Sequence, residues 1–388
     1  MALMGTIVVF SLVASAMIVT SNGAQEKLSV EEDLELERQM KILNKPAVKT
    51  IKTEYGDIFD CVDIHKQPAF DHPLLKNHKL QTSPSFIPEA RKQGAPSMAT
   101  TAMIGLPDGG CPQGSVPIRR IQKQELKNAR MFFNYSNEAT MPTANHPGAA
   151  YSSTVRWRGN EKLYGTRFLS NVWGHQLKED QCSSACTWVQ NGCDSINAGW
   201  MVSPNLFGDS RTRLFIYWTA DCYKKTGCYN TFCPGFVQID TEMPLGAFIR
   251  PLSNYEGSQF DIQLDVFKDL SSDGTWWLVY NGIRPVGYWP MELFSKLPDH
   301  AETMAWGGYV YGPKARPSPP MGSGYFAHFG YGRACFFRNI QLMDNFRAFY
   351  DPQEGNLRYG SNSQCYDWSG SCEDGSWGCG LYFGGPGC

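Results

Sequence analysis

The sequence predicts an all-β protein, an antiparallel sandwich or barrel, preceded by a mostly irregular segment. Three observations point there. From about Tyr151 onward, short runs with apolar alternation follow one another, separated by turn residues. No helical pattern of ordinary length interrupts them, apart from a turn at Met291–Phe294. Aromatic residues make up 13% of the chain and glycine accounts for 38 of 388 residues, a mixture that suits pleated surfaces joined by tight turns.

Taken in order, residues 3–19 form an apolar run followed by the small, polar "TSNGAQ". This reads as a cleaved secretory signal processed near Ser21-Asn22-Gly23, with a signal anchor as the rival reading. Residues 29–43 read as an acidic amphipathic helix ended by Pro46. Residues 44–120 are rich in Pro, Lys and His and show few periodic patterns, and residues 121–150 read as a linker. The expected divisions are therefore a signal at 1–23, an N-terminal region and linker at 24–145, and a β domain at 146–388. Within that domain "TRFLSNVW", "ACTWVQNG", "SINAGWMV", "TRLFIYWTA", "QFDIQLDVFK", "TWWLVYN", "TMAWGGYVYG" and "ACFFRNIQL" are the clearest strands.

The run "SINAGWMV" puts Ile196, Ala198, Trp200 and Val202 on one face and Asn197, Gly199 and Met201 on the other. An amide with a bare glycine two residues along the same face is either a satisfied structural group or part of a site. If this strand forms a hairpin with "TRLFIYWTA" so that Val202 faces Arg213, Cys193 lies opposite Cys222, a cross-strand disulfide candidate, and Asn197 lies opposite Trp218.

Charge is balanced at 35 Lys+Arg against 37 Asp+Glu, with no basic run, so nothing points to nucleic acid. Beyond the N-terminal run no segment is long and apolar enough to span a bilayer, so no membrane association is expected after signal removal. Thirteen cysteines fit an oxidising compartment, and the odd number leaves at least one unpaired in a monomer. Asn134-Tyr135-Ser136 is the one N-glycosylation sequon. Cys182-x3-Cys186 and Cys372-x6-Cys379 could suggest zinc, but in a secreted chain disulfides are the expected use. No nucleophile motif or phosphate loop is present, and no metal or cofactor is expected.

The chain resembles the neprosin family, secreted glutamic peptidases known mainly from plants, across nearly its whole length. "CVDIHKQPAFDHPLLKNHKLQ" and "CPQGSVPIRR" look like the family's activation peptide. "AGW", "GDSRTRLFIYWTAD", "TGCYNTFCPGFVQ", "WWLVYNG", "VGYWPMELF", "WGGYVYG", "MGSGYF", "FRNIQL" and "YFGGPGC" look like its catalytic-type domain. The resemblance implies a propeptide followed by a sandwich of two large antiparallel sheets, with a substrate groove across it. In active members two glutamates work in that groove, one directly before Ala-Gly-Trp and one directly after Trp-Gly-Gly. Here those positions hold Asn197 and Tyr309.

Peptide hydrolysis by paired carboxyl groups needs one to take a proton from water and one to give a proton back. An Asn amide can donate hydrogen bonds but is no base, and a phenol with an ordinary pKa of about 10 is a poor one. Losing both groups removes the proton chemistry. The groove itself is expected to persist, with Gly199, Trp218, Gly307, Gln238 and Tyr288 as candidate lining. Trp200, Trp289 and Trp306 are expected in the core. Glu256, Asp221, Asp240, Glu292 and Glu302 are the candidate replacement acids, each in a turn or strand-end context that reads as solvated surface, and His328 sits in a Gly-rich loop.

The resemblance supports disulfides Cys228–Cys233, Cys365–Cys388 and Cys61–Cys111. The hairpin supports Cys193–Cys222, short spacing supports Cys372–Cys379 and Cys182–Cys186, and Cys335 remains as the odd thiol. The N-terminal region is expected to pack over the groove or beside it. The leading expectation is a secreted, catalytically silent homologue of a prolyl glutamic endopeptidase, in the apoplast or a vacuole, keeping a groove for an extended, proline-containing peptide. Its rivals are an acid-pH endopeptidase using other carboxylates and a sandwich that binds a cell-wall polymer or other glycan.

Overall fold

In the computed structural model, residues 30–90, 99–107, 109–129, 148–271, 274–361, 363–373 and 377–388 are described. The expected signal at 1–23 and the sequon at Asn134 lie outside them.

Two large sheets face each other. The seven-stranded sheet runs, edge to edge, through Cys228–Tyr229, Arg213–Thr219, Asp194–Val202, Cys182–Asn191, Thr303–Pro313, Gly148–Trp157 and Leu357–Ser361, antiparallel throughout. The eleven-stranded sheet is built around Trp276–Tyr280, Phe260–Lys268, Gly165–Asn171 and Cys335–Met343. The described part of the sandwich is thus the antiparallel all-β architecture the alternating runs predict, and Met291–Leu293 is a single 3-10 turn.

Alternation along the strands builds the core between the sheets. Ile196, Ala198, Trp200 and Val202 point inward with Leu214, Ile216, Val155, Met304 and Trp306, against Phe168, Ile262, Leu264, Trp276 and Phe337 of the opposite sheet. Trp200, Trp289 and Trp306 are all fully buried there. Two indoles also tie the sheets together. Trp200 Nε1 donates to the Asn171 carbonyl at 2.8 Å and Trp306 Nε1 to Thr166 Oγ1 at 3.0 Å. These two acceptors spare the indoles the cost of about 1–3 kcal/mol that an unpaired buried N–H carries.

The N-terminal region is less irregular than its sequence suggests. Val30–Leu43 is the expected helix, and Ala47–Lys52, Ile58–Asp63 and Ser115–Arg119 form a three-stranded sheet. Residues 123–129 of the expected linker are helical. The region also reaches into the sandwich, where Thr100–Thr101 and Glu89–Ala90 add short parallel strands to the eleven-stranded sheet. Buried ion pairs hold it. Asp57 bridges Arg119, at 3.3 Å, and the fully buried Arg213 of the sandwich, at 2.8 Å.

The hairpin register differs by one from the expected one. Met201, not Val202, faces Arg213, so Asn197 lies opposite Tyr217 and Trp218 opposite Ile196. The connection holds a short helix, Pro204–Phe207, capped by Gly208 at φ 78°, and this turn sets the register. Cys193 and Cys222 are nevertheless bonded. Beyond Thr219 the chain leaves the ladder, and Cys222 and Tyr223 take φ values of 59° and 62°, which bring Cys222 back to Cys193. Cys222 N donates to the Cys193 carbonyl at 3.0 Å.

The other bridges are Cys61–Cys111, Cys228–Cys233, Cys365–Cys388 and Cys372–Cys379. Cys182 and Cys186 are not bridged; with Cys335 they are free and buried. Four residues apart on one strand they lie roughly 13 Å apart, about twice the Cα separation a disulfide spans. The chain therefore has three unpaired thiols rather than the single expected one.

Candidate functional site

Asp194–Val202 is buried at all nine positions because it lies inside a sheet covered on both faces. Its outward residues meet those of the neighbouring strands in ordered rows. Asn197 lies opposite Trp188, Gly199 opposite Cys186, and Met201 opposite Ser184. Across the next strand pair, Cys186 lies opposite Gly307 and Ser184 opposite Tyr309. Asn197 and Tyr309 are thus on strands separated by Cys182–Asn191 and offset by four residues along them, Asn197 level with Ala305 and Tyr309 level with Met201. Both line one cavity of about 90 Å³, together with Ser184, Cys186, Trp188, Met201, Phe215, Tyr217, Tyr223 and Tyr229.

The glycines shape its floor. A Cβ on Gly199 would sit 2.1 Å from the Ala185 carbonyl oxygen and 2.7 Å from Cys186 Cα, and one on Gly307 would sit 2.1 Å from the Ser153 carbonyl oxygen. Only glycine lets these backbones approach so closely. Gly199 and Gly307 flank Cys186 in the row between Asn197 and Tyr309.

A hydrogen-bond chain orients Asn197. Tyr223 Oη donates to Ser195 Oγ at 3.0 Å, and Ser195 Oγ donates to Asn197 Oδ1 at 3.0 Å. The Asn197 side chain faces the Cys186 thiol and opposes part of the rise in its pKa. Burial pushes the Cys186 thiol well above its ordinary pKa, and the nearby Cys182 adds to this. Burial likewise raises the phenols of Tyr309 and Tyr229 well above theirs, and raises those of Tyr223 and Tyr217. All remain protonated at neutral and acid pH. The lining therefore offers hydroxyl, amide and thiol donors on aromatic walls. It includes no Asp or Glu among the described residues, and none of its groups is a base in that range.

The other candidate residues lie elsewhere. Trp218 faces the inter-sheet core, edge-on to Phe294 at 5.9 Å between centroids, because the true register puts it on the opposite face from Asn197. Gln238 and Tyr288 belong to the eleven-stranded sheet and are buried. Both hold the N-terminal region: Gln238 N donates to Gln67 Oε1 at 2.8 Å, and Tyr288 Oη lies 2.9 Å from His78 Nε2. Each candidate acid is engaged away from the cavity or exposed. Asp221 accepts from the backbone N–H groups of Lys224, Lys225 and Thr226. Asp240 pairs with Arg284, Glu292 with His78, and Glu256 with Arg333, while Glu302 is exposed. His328 is exposed, 3.7 Å from Asp367. Cys186, Trp188, Tyr217, Tyr223 and Tyr229 escaped the sequence reading; alternation gives their face, but only the strand order reveals that they meet.

The outer face of this sheet carries the N-terminal region. Leu36, Leu43, Ile121 and Leu126 form one apolar cluster with Cys186, Met201, Phe215, Tyr217 and Tyr229. Residues 179–386, the part that builds most of this sheet, match the family model described as Neprosin. The chain belongs to the neprosin family. Residues 50–161 match the model described as Neprosin activation peptide, which takes in most of the region packed on the sandwich and runs on into the first sandwich strand. Among solved structures, this neprosin-family chain is similar to scytalido-glutamic peptidase with a peptide-based transition-state analog. Identity is 11%, covering 60% of this chain and 96% of that one, at a TM-score of 0.32. It is also similar to SCP-B, a member of the Eqolisin family of peptidases, in complex with the tripeptide Ala-Ile-His, at 9% identity, the same coverages and a TM-score of 0.32. Among the described residues no helix is long and apolar enough to cross a membrane.

Proposed function

We propose that this neprosin-family chain is a secreted protein that binds an extended peptide on the outer face of its seven-stranded sheet and does not cut it. The observation that carries the reading is the cavity lining. Asn197 and Tyr309, the positions at which the family resemblance puts the two working glutamates, converge on one cavity without an acid or a base among its described residues. Donors on aromatic walls can hold a peptide carbonyl or a proline ring, but cannot move a proton from water to a leaving amine. Five disulfides and a propeptide support export through an oxidising compartment.

The test uses the full chain, intact and nicked between residues 130 and 147 with an added protease so that the N-terminal region can leave the outer face. It is held for hours between pH 3 and pH 7, alone and with a proline-containing peptide, and its mass and the peptide's are followed by mass spectrometry. Both masses stay unchanged, and the peptide quenches tryptophan emission saturably through Trp188. Self-shortening, or peptide cleavage that persists in Asn197→Ala, overturns the reading.

A further inference from the structure

The loop between Thr303–Pro313 and Cys335–Met343 brings together a group of exposed rings. Tyr325 is 41% exposed and Phe329 37%, and Tyr255, from a neighbouring turn, is 39% exposed. The Tyr255 and Tyr325 centroids lie 4.2 Å apart with 33° between planes, and Phe329 continues the ridge edge-on at 6.0 Å from Tyr325. Water disfavours three large rings left side by side, so a patch of this kind marks a surface that meets something. The ridge is also held in place. Ala327 N donates to Asp367 Oδ1 at 2.6 Å, Ala334 N to the Gly330 carbonyl at 2.8 Å, and Glu256 N to the Gly332 carbonyl at 2.8 Å. Rings fixed beforehand lose little freedom on binding.

The ridge borders a cleft of about 420 Å³, lined by His175, Gln176, Arg211, Arg250 and Asn254 among others. Asn254 precedes Tyr255 in the chain, and a Cβ on Gly324, beside Tyr325, would sit 3.4 Å from His175. Each guanidinium already has a carboxylate, Arg211 with Asp209 at 2.8 Å and Arg250 with Glu54 at 2.7 Å. Among the described residues, the side-chain amides of Gln176 and Asn254 make no hydrogen bond to protein. The cleft thus offers neutral donors and acceptors beside flat apolar rings, with its cations already neutralised.

We infer that the ridge and cleft together bind a neutral β-linked hexose polymer. A β-linked pyranose presents equatorial hydroxyls at its edge and C–H groups on its faces. The faces match Tyr255 and Tyr325, and the edge hydroxyls match the Gln176 and Asn254 amides. An anionic polymer would have to displace the carboxylates from both arginines, and a peptide would leave the cleft amides to pair with groups it carries more sparsely. This surface is separate from the Asn197–Tyr309 cavity and does not depend on the reading given to that cavity.

The experiment is titration of the full chain with cellohexaose, followed by calorimetry and tyrosine emission, with a proline hexapeptide as the competitor class. Binding is saturable in the wild type and weakens by roughly tenfold or more in Tyr255→Ala/Tyr325→Ala and in Gln176→Ala/Asn254→Ala. Both pairs lie at the surface, so thermal melting remains that of the wild type; Phe329→Ala gives a third, independent readout along the ridge. No binding of cellohexaose, binding that survives loss of both tyrosines, or tighter binding of the proline hexapeptide than of cellohexaose overturns the inference.

Discussion

Restoring both carboxyl groups should restore hydrolysis. Asn197 and Tyr309 stand two strand spacings apart, roughly 9.6 Å, and four residues apart along the strands, roughly 13.6 Å. Their Cβ atoms are therefore about 17 Å apart. An extended Glu side chain carries its oxygens roughly 4 Å beyond Cβ. Glutamates at both positions leave a gap of about 8–9 Å, room for a peptide group and one hydrogen-bonded water between them. Replacing the Tyr309 ring adds space to the present cavity of about 90 Å³. Burial and mutual repulsion split the two pKa values, leaving one carboxyl protonated and one ionised at mildly acid pH. Acid and base catalysis each contribute roughly 10²- to 10⁴-fold, and neither acts well alone, so Asn197→Glu and Tyr309→Glu singly should stay near background while the double variant rises far above their sum. The assay is cleavage of a fluorogenic proline-containing peptide at pH 3–6, by intact protein and by protein nicked between residues 130 and 147 with an added protease. A double variant that melts like the wild type yet cuts nothing in either form refutes the geometry argued for this pair.

Gly199→Ala should destabilise by roughly 1–3 kcal/mol or more, because its Cβ meets strand backbone rather than a movable side chain; Gly307→Ala should do the same at φ +152°. Thermal melting checks this, and an unchanged midpoint contradicts it. Cys182, Cys186 and Cys335 should resist alkylation in the native protein, since burial pushes the Cys182 thiol up to about 12 and raises the other two well above their ordinary value, and should label only on denaturation. Native labelling of any of them, located by peptide mapping, contradicts this. Burial pushes the Asp261 carboxyl up to about 6 against the pull of Arg338, 2.8 Å away. The folded state then holds that proton more tightly than the unfolded chain, whose value is about 3.9. The stabilisation is full below about pH 4 and is lost as pH rises through about 6, to a total of about 3 kcal/mol. Wild type minus Asp261→Asn stability should therefore be larger at pH 4 than at pH 7, and a flat difference in denaturant titrations contradicts it.

Local pattern carries local structure, and that is where the sequence was legible. Alternation put Ile196, Ala198 and Trp200 on one face of their strand and Asn197 on the other, and the structure turns the first face to the core and the second to the cavity. Strand order is a long-range property with no local signature. Nothing within "ACTWVQNG" says that it lies between the strands of Asn197 and Tyr309, so the cavity residues Cys186 and Trp188 were invisible. The one-residue register error came from the Pro204–Phe207 helix, and it alone moved Trp218 from the core to the expected groove. Tyr288 misled for a different reason. On a strand buried on both faces, burial does not say which sheet or which partner a ring serves, and its partner, His78, lies 210 residues away.

None of the five bridges joins the propeptide to the sandwich: Cys61–Cys111 closes within the former, and the other four within the latter. The two parts are held instead by contacts without a covalent link: the apolar cluster of Leu36, Leu43, Ile121 and Leu126 on the outer sheet, the short added strands, and Arg213 of the sandwich sharing Asp57 of the propeptide. A single cut between residues 130 and 147 would turn an intramolecular contact into a bimolecular one. The nicked molecule becomes a heterodimer whose lifetime answers to dilution and is indifferent to reductant.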